Sequence, residues 1–189
     1  MERNKMNAPN HREVFQFDPV AKILHWILAL LIIGMLILGW YMVAIGLEPR
    51  SHWYFNLHKS IGIIVGVLVL FRLCWRFFHR PGPYSVTLPL WQVKASRVVH
   101  GLLYALIILM PLTGFLGESF NKFGVAFFGL PISIGVNVNV DASNQLLNIH
   151  GIFAWILLTL IIIHILAALK HLLINKDNVF RRMWFSKRG

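Results

Sequence analysis

Long apolar runs separated by polar segments dominate the chain, and four of them approach the roughly 20 residues that a helix needs to cross a bilayer. They span residues 23–46, 57–78, 98–117 and 149–174. The first run contains no charged residue. Arg72 and Arg76 fall near the end of the second, where long side chains can reach the interface. The pattern predicts an all-α integral membrane protein whose four transmembrane helices form one domain, residues 23–174.

The remaining segments predict two tails and one long loop. No small-residue cleavage site follows the first run, so residues 1–22 are expected to be a polar tail before a retained helix rather than a secretory signal. Residues 118–145 are expected to form a loop on the face of the membrane opposite to the two tails. Residues 175–189 are expected to form a basic tail.

The charged residues predict the orientation of the bundle. Fifteen of the 18 lysines and arginines lie near the termini, at the end of the second run or in the connection after it, and the exceptions are Arg50, Lys59 and Lys122. The positive-inside rule therefore places both termini in the cytoplasm. Most of the net charge of +11 is explained by this topology, so a nucleic-acid partner is not expected.

Composition narrows the class of protein further. Charged residues make up 13% of the chain, about half of the roughly 25% that is usual in soluble domains, and 57% of the residues are apolar. A disordered chain is excluded. The single cysteine, Cys74, excludes a disulfide framework, a cysteine-based zinc site and the two-cysteine motif that attaches haem covalently.

The histidines are the candidate functional residues, because ionisable groups in membrane helices are costly and usually functional. Six of nine lie in or beside the apolar runs: His25, His58, His100, His150, His164 and His171. Because successive helices alternate in direction, two of these six, His25 and His164, are expected near the cytoplasmic side. By the same argument His58 and His150 are expected near the outer side.

The spacing of the histidines in the fourth run agrees with this assignment of depth. His150 and His164 are separated by about 21 Å along a helix and by about 40° around it, so both face the bundle interior on one side. His100 and His171 are expected near the cytoplasmic-side pair. Two facing imidazoles can hold a six-coordinate haem iron, which suits electron transfer.

Two alternative roles for the histidines remain open. Six histidines can form hydrogen bonds between helices without binding a cofactor. A histidine relay can also carry protons or a divalent metal ion through a transporter, although the apolar runs contain essentially no Asp or Glu to complete such a site.

The sequence resembles the bacterial cytochrome b561 family of four-helix inner-membrane cytochromes, which includes the superoxide oxidases. The resemblance covers roughly residues 18–183. Its motifs are Leu24-His25-Trp26, Leu57-His58-Lys59-Ser60-Ile61-Gly62, His100-x-x-x-Tyr104, the His150/His164 pair, and Leu169-Lys170-His171 followed by Lys176-Asp177-Asn178 and Arg181-Arg182-Met183.

The resemblance implies two non-covalent b haems, each with two histidine ligands. His25 and His164 would ligate the cytoplasmic-side iron, and His58 and His150 the periplasmic-side iron. A ubiquinone site is implied at His100 and His171, where a neutral imidazole can hydrogen-bond a quinone carbonyl. We also expect contacts between haem propionates and three arginines: Arg72, Arg76 and Arg97. Lys59 is expected to guide an anion such as superoxide to the outer face.

The function expected from this resemblance is electron transfer across the bacterial inner membrane, with superoxide oxidised outside and ubiquinone reduced near the cytoplasmic side. The alternative within electron transfer is a cytochrome subunit that serves a separate dehydrogenase or a periplasmic redox partner. The expected surroundings are the lipid bilayer, and no nucleic acid.

Overall fold

A computed structural model of the chain describes residues 16–46, 51–79 and 88–185. Within these residues four helices are long and apolar enough to cross a membrane. They are α1 (Pro19–Ile45), α2 (His52–Phe78), α3 (Leu90–Ser119) and α4 (Val140–Lys170). A short antiparallel hairpin, β1 (Val125–Phe127) and β2 (Leu130–Ile132), lies between α3 and α4. The predicted all-α membrane bundle is confirmed in its four helices.

Two helices, α1 and α4, begin earlier than their apolar runs because a polar residue caps each of them. Asp18 caps α1 by accepting a hydrogen bond from Ala21 N at 2.9 Å, and Pro19 occupies the first turn. Asn139 caps α4 in the same way through Ala142 N at 3.0 Å. The predicted loop 118–145 is therefore wrong beyond Asn139, and the hairpin occupies part of the remainder.

Two other predicted boundaries differ from the structure. The second helix begins at His52 rather than at residue 57, and the third at Leu90, directly after Pro89, rather than at residue 98. Their first turns contain polar residues, such as His52 in α2 and Gln92 in α3, which a count of apolar residues leaves out. After α4 the chain forms a π-helical turn, His171–Asn175, and a 3-10 turn, Phe180–Arg182, so the described part of the predicted tail 175–189 is folded.

Sequential helices pack against each other, and two apolar clusters join them. One cluster centres on Leu28, Val65 and Val69 and joins α1 to α2. The other centres on Leu106, Leu157 and Leu160 and joins α3 to α4. Ile32 and Ile107 pack against both clusters, so the core is continuous through the middle of the bundle.

The two ends of the bundle differ in what they contain. At one end, here called the terminal end, Phe17 N donates to Arg182 O and Arg72 donates to Ala21 O. Lys170 lies over the Trp91 ring at this end as well. The other end, here called the hairpin end, contains the β-hairpin, whose strand β1 packs against α2. Both described ends of the chain therefore lie at the same end of the bundle.

Candidate functional site

Four of the predicted histidines form two pairs with the same geometry. His25 on α1 and His164 on α4 have ring centroids 6.2 Å apart and an interplanar angle of 79°. His58 on α2 and His150 on α4 are also 6.2 Å apart, at 80°. The first pair lies toward the terminal end and the second toward the hairpin end. The structure thus brings together the residues that depth along the helices had paired.

The spacing of both pairs fits two imidazoles that share one metal ion. A metal–nitrogen bond of about 2.0–2.1 Å to each ring places the two centroids about 6 Å apart. His100 is closer to His164, at 5.2 Å and 82°, which is an ordinary edge-to-face contact between rings. By distance, His25 rather than His100 is the partner that can share an ion with His164.

The backbone of α3 orients the ring of His150. Its Nδ1–H donates to the carbonyl oxygen of Met110 at 2.9 Å, and the hydroxyl of Thr113 lies 3.4 Å from the same nitrogen. A donor at Nδ1 leaves the lone pair of a neutral imidazole on Nε2. Metal-binding histidines are commonly held through such a second hydrogen bond. His150 is therefore presented in a form that can ligate iron.

Glycines on neighbouring helices make room for the hairpin-end pair. A Cβ atom at Gly39 would lie 3.3 Å from His58 Cε1, and one at Gly114 would lie 3.1 Å from His150 Cε1. His58 Nδ1 is buried, and among the described residues it has no hydrogen-bond partner. Both rings are therefore held closely by helix backbone, and a side chain at either glycine would displace them.

The two histidines predicted for a quinone site differ in their surroundings. The Nδ1–H of His100 donates to Ser96 O at 2.6 Å, which leaves Nε2 as an acceptor on a ring that contacts His164. His171 instead begins the π-helical turn, and its Nδ1 lies 2.6 Å from Asp177 Oδ2. The structure places His100 beside the terminal-end pair, whereas His171 contacts Asp177 and Asn175 of its own turn.

The three arginines predicted to contact haem propionates differ in how close they lie to the histidines of the terminal end. Arg72 donates to Ala21 O at 2.8 Å and lies within electrostatic range of His25 and His100. Arg76 lies 5.2 Å from the centre of the Tyr104 ring and also within range of His100. Arg97 is exposed, one turn before His100, and within the described ranges no contact joins it to a paired histidine. Arg72 and Arg76 are thus the cations beside the terminal-end pair.

Lys59 is ion-paired rather than free. Its Nζ lies 2.6 Å from Glu118 Oε2 and donates to Gly124 O at 3.2 Å, and both charged side chains are mostly buried. The field of its ammonium is therefore offset by a carboxylate, which the sequence did not reveal because the two residues belong to different helices. Lys122 is exposed and lies over the Phe123 ring. Arg50, the other expected cation of this face, lies outside the described residues.

Sequence reasoning missed Trp26 as a residue of the site. Its ring lies 5.4 Å from His25, and its indole Nε1–H donates to Met183 O at 3.0 Å. The adjacency of Trp26 to His25 was a signal for the first contact. No sequence signal indicated the second, because the acceptor is a backbone carbonyl distant along the chain.

Comparison with known proteins agrees with this geometry. The family model for prokaryotic cytochrome b561 matches residues 16–186. "Cytochrome b561 homolog 2" of Escherichia coli (strain K12) is 31% identical over 89% of this chain and 90% of its own length. "Cytochrome b561 homolog 1" of the same organism is 32% identical over 89% and 96%. "Probable superoxide oxidase CybB" of Yersinia pestis is 31% identical over 88% and 94%.

The family match spans almost the whole described chain, and the relatives are matched over most of their own length. Membership implies a membrane electron-transfer protein that binds b-type haem, which agrees with paired histidines inside four apolar helices. The chain belongs to the prokaryotic cytochrome b561 family.

Proposed function

We propose that the chain binds two b haems and carries electrons across the bacterial inner membrane, between its hairpin end and a quinone at its terminal end. His25 and His164 would hold the terminal-end iron, and His58 and His150 the hairpin-end iron. The observation that supports this most directly is the repeated geometry of the pairs, 6.2 Å with rings nearly perpendicular at each level. Chance packing of membrane histidines has no reason to repeat both values.

When bound, each haem would supply a one-electron carrier. The chain's own residues orient the histidine ligands. Met110 O accepts the Nδ1–H of His150, which leaves the lone pair of the neutral ring on Nε2, and the absence of a Cβ at Gly39 and Gly114 lets the helices approach the rings. Long apolar helices around both levels exclude water from them.

The haem content of the purified protein tests this proposal. Pyridine haemochrome analysis is expected to give two b haems per chain. His58→Ala is expected to give one, because it removes a ligand at the hairpin end only. His52→Ala is the matched control, since His52 is an exposed histidine on the same helix. A protein that is correctly folded but colourless, or a His52→Ala variant that loses a haem while His58→Ala keeps both, would contradict the assignment.

We further propose superoxide as the electron donor and ubiquinone as the acceptor. In the net reaction two superoxide anions each lose one electron and leave as O₂, while one ubiquinone gains two electrons and two protons to become ubiquinol. Support for superoxide comes from the relative named as a probable superoxide oxidase, and from the exposed Lys122 at the hairpin end, where Lys59 is also present but paired with Glu118.

The acceptor would bind near His100 at the terminal end. Nε2 of His100 is available because Nδ1–H is already bonded to Ser96 O. Arg72 and Arg76 lie close enough to act electrostatically on His100, and they would favour a partly reduced, anionic quinone. Protons for the quinone would enter from the cytoplasm, the side on which the positive-inside rule places this end.

Rapid mixing of the oxidised protein with superoxide tests the donor. We expect haem reduction that superoxide dismutase abolishes. Because Glu118 offsets the charge of Lys59, Glu118→Gln is expected to increase the second-order rate, and Lys59→Met to decrease it. The difference in rate between each variant and the wild-type protein should become smaller at higher salt concentration, because salt screens the charges.

An uncharged reductant is the control for that series, and its rate should be the same in both variants. If superoxide reduces haem no faster than unrelated donors do, and neither variant changes the rate, the chain is better described as an electron-transfer subunit with a protein partner.

A further inference from the structure

The chain folds back after α4 and returns to the beginning of α1. His171 and Asp177 close the turn at 2.6 Å, and Asp177 Oδ1 accepts a hydrogen bond from Val179 N at 3.0 Å. Lys176 adopts a left-handed conformation, with φ of 50°, between them. These contacts direct residues 180–184, here called the C-terminal strap, across the terminal end of the bundle.

Three consecutive carbonyl groups of the C-terminal strap accept hydrogen bonds from the first part of the chain. Phe17 N donates to Arg182 O at 3.2 Å, Trp26 Nε1 to Met183 O at 3.0 Å, and Lys22 Nζ to Trp184 O at 3.0 Å. The side chains of Lys22 and Arg182 are buried, with exposed fractions of 6% and 5%. The C-terminal strap is therefore packed onto α1 and is not a solvated tail.

Trp26 connects the C-terminal strap to the terminal-end histidine pair. Its ring contacts Trp184, at 5.7 Å between centroids, and the ring of the preceding residue, His25, at 5.4 Å. His25 belongs to α1 and its partner His164 to α4, two helices that are not among the closely packed pairs of the bundle. The C-terminal strap is continuous with α4 and bonded to α1, so it bridges these helices beside the pair.

We propose that the C-terminal strap is a positioning element that sets the distance between His25 and His164, and that Trp26 is the positioning residue through which it acts. The inference rests on the proposed haem at this pair. The hairpin-end pair lies at the far end of the bundle, and its positioning contacts are with Gly39, Gly114 and Met110. Weakening the C-terminal strap should therefore alter one haem and leave the other unchanged.

Trp26→Phe is the decisive variant, because it keeps an aromatic ring beside His25 and removes the indole donor to Met183 O. We expect the terminal-end haem to transfer to apomyoglobin about three- to tenfold faster, the effect of losing one hydrogen bond. Its low-spin EPR signal, which depends on the angle between the two imidazole planes, should also shift. Trp53→Phe makes the same chemical change at an exposed site on α2. It should change neither the rate of haem transfer nor the EPR signal.

The two haems are observed separately in single-haem backgrounds. His58→Ala leaves the terminal-end haem, and Trp26→Phe is expected to change its transfer rate and EPR signal. His25→Ala leaves the hairpin-end haem, and there Trp26→Phe should have no effect. Deletion of residues 180–189 should reproduce the effect of Trp26→Phe more strongly, with the hairpin-end haem reporting that the bundle is still folded.

The outcomes separate this inference from the function on which it rests. Wild-type protein without two b haems would contradict the proposed function. Wild-type protein with two b haems, but with an unchanged terminal-end haem in Trp26→Phe, would overturn only the role of the C-terminal strap. Equal changes at both haems would also overturn it, since they indicate general destabilisation.

Discussion

The imidazoles of the hairpin-end pair are held by contacts with helix backbone. At Gly114 the distance from an added Cβ to His150 Nδ1 would be 3.2 Å, and at Gly39 the distance to His58 Nδ1 would be 3.9 Å. The contact at Gly114 is the closer of the two, and His150 is also fixed by its hydrogen bond to Met110 O. This ring therefore has little freedom to move away from a new methyl group.

Gly114→Ala is predicted to weaken haem binding at the hairpin end. The added methyl group has to displace His150 or strain α3, and such overpacking costs about 1–3 kcal/mol. Haem content should fall toward one per chain while helicity is retained. Gly34→Ala is the control, because Gly34 has open space around it and lies on the side of α1 opposite His25. Equal haem loss in both variants would refute this role of Gly114.

The pairing of the histidines was predictable from the sequence, whereas the hydrogen bonds and ion pairs of the residues around them were not. Depth follows from the position of a residue within an apolar run, so His25, His58, His150 and His164 could be assigned to two levels. The ring nitrogen of His150 that carries the lone pair is determined by the hydrogen bond to Met110 O. The electrostatic effect of Lys59 on its surroundings is reduced by its ion pair with Glu118. Both depend on how α3 packs against its neighbours, which the pattern of a single helix does not specify.

A buried serine bonds the turn of the β-hairpin to α2. Ser60 is fully buried, and its hydroxyl donates to Asn56 O at 2.6 Å while accepting from Phe128 N at 2.7 Å. Phe128 has a φ of 49° and Gly129 of 85°, which form the tight turn between β1 and β2. The hydroxyl group thus holds the strained turn of the hairpin against the helix that also contains His58.

Ser60→Ala is predicted to release the hairpin turn. Loss of the part-buried hydrogen bond from Phe128 N–H costs about 0.5–1.5 kcal/mol, so the amide should exchange with solvent faster. Hydrogen exchange measured by mass spectrometry on peptides covering residues 123–132 checks this. Ser119→Ala is the control, because the hydroxyl of Ser119 is buried but donates to Phe115 O within its own helix. Unchanged exchange in Ser60→Ala would show that other contacts hold the hairpin.

The helices were predictable because each contains a long apolar run, whereas the short strands of the hairpin leave no comparable pattern in the sequence. A membrane helix needs a long apolar run, which composition reveals directly. The strands have three residues each, and their pairing depends on the turn at Phe128 and Gly129. The start of α4 was missed because residues 136–140 alternate between valine and asparagine, which favours neither a helix nor a membrane span, and the cap at Asn139 decides the outcome.

Basic residues are concentrated at the terminal end of the bundle. Within the described residues this end contains the cations Lys22, Arg72, Arg76, Lys94, Arg97, Lys170, Lys176, Arg181 and Arg182, whereas Lys59 and Lys122 lie at the hairpin end. Lys22 and Arg182 are buried where the C-terminal strap packs onto α1, so charged side chains at this end also contribute to packing. The asymmetry supports a cytoplasmic location for the terminal end.

Reporter fusions test this orientation. Green fluorescent protein fused after Gly189 is predicted to fluoresce, and alkaline phosphatase at the same position to be inactive, because the fusion point would be cytoplasmic. Alkaline phosphatase fused after Gly135, beyond the hairpin, is predicted to be active. The reverse pattern would show that the hairpin end faces the cytoplasm and would exclude superoxide oxidation on the outer face.

The α4 helix contributes one histidine to each pair, and this restricts where the chain can change in length. A residue inserted between His150 and His164 would rotate one of them by about 100° and move it by about 1.5 Å. No compensating change in α1, α2 or α3 could restore both pairs. Insertions before Asn139 or after Asp177 would leave the spacing intact. The interval between these two histidines is thus the segment of the chain in which we expect a change of length to be tolerated least.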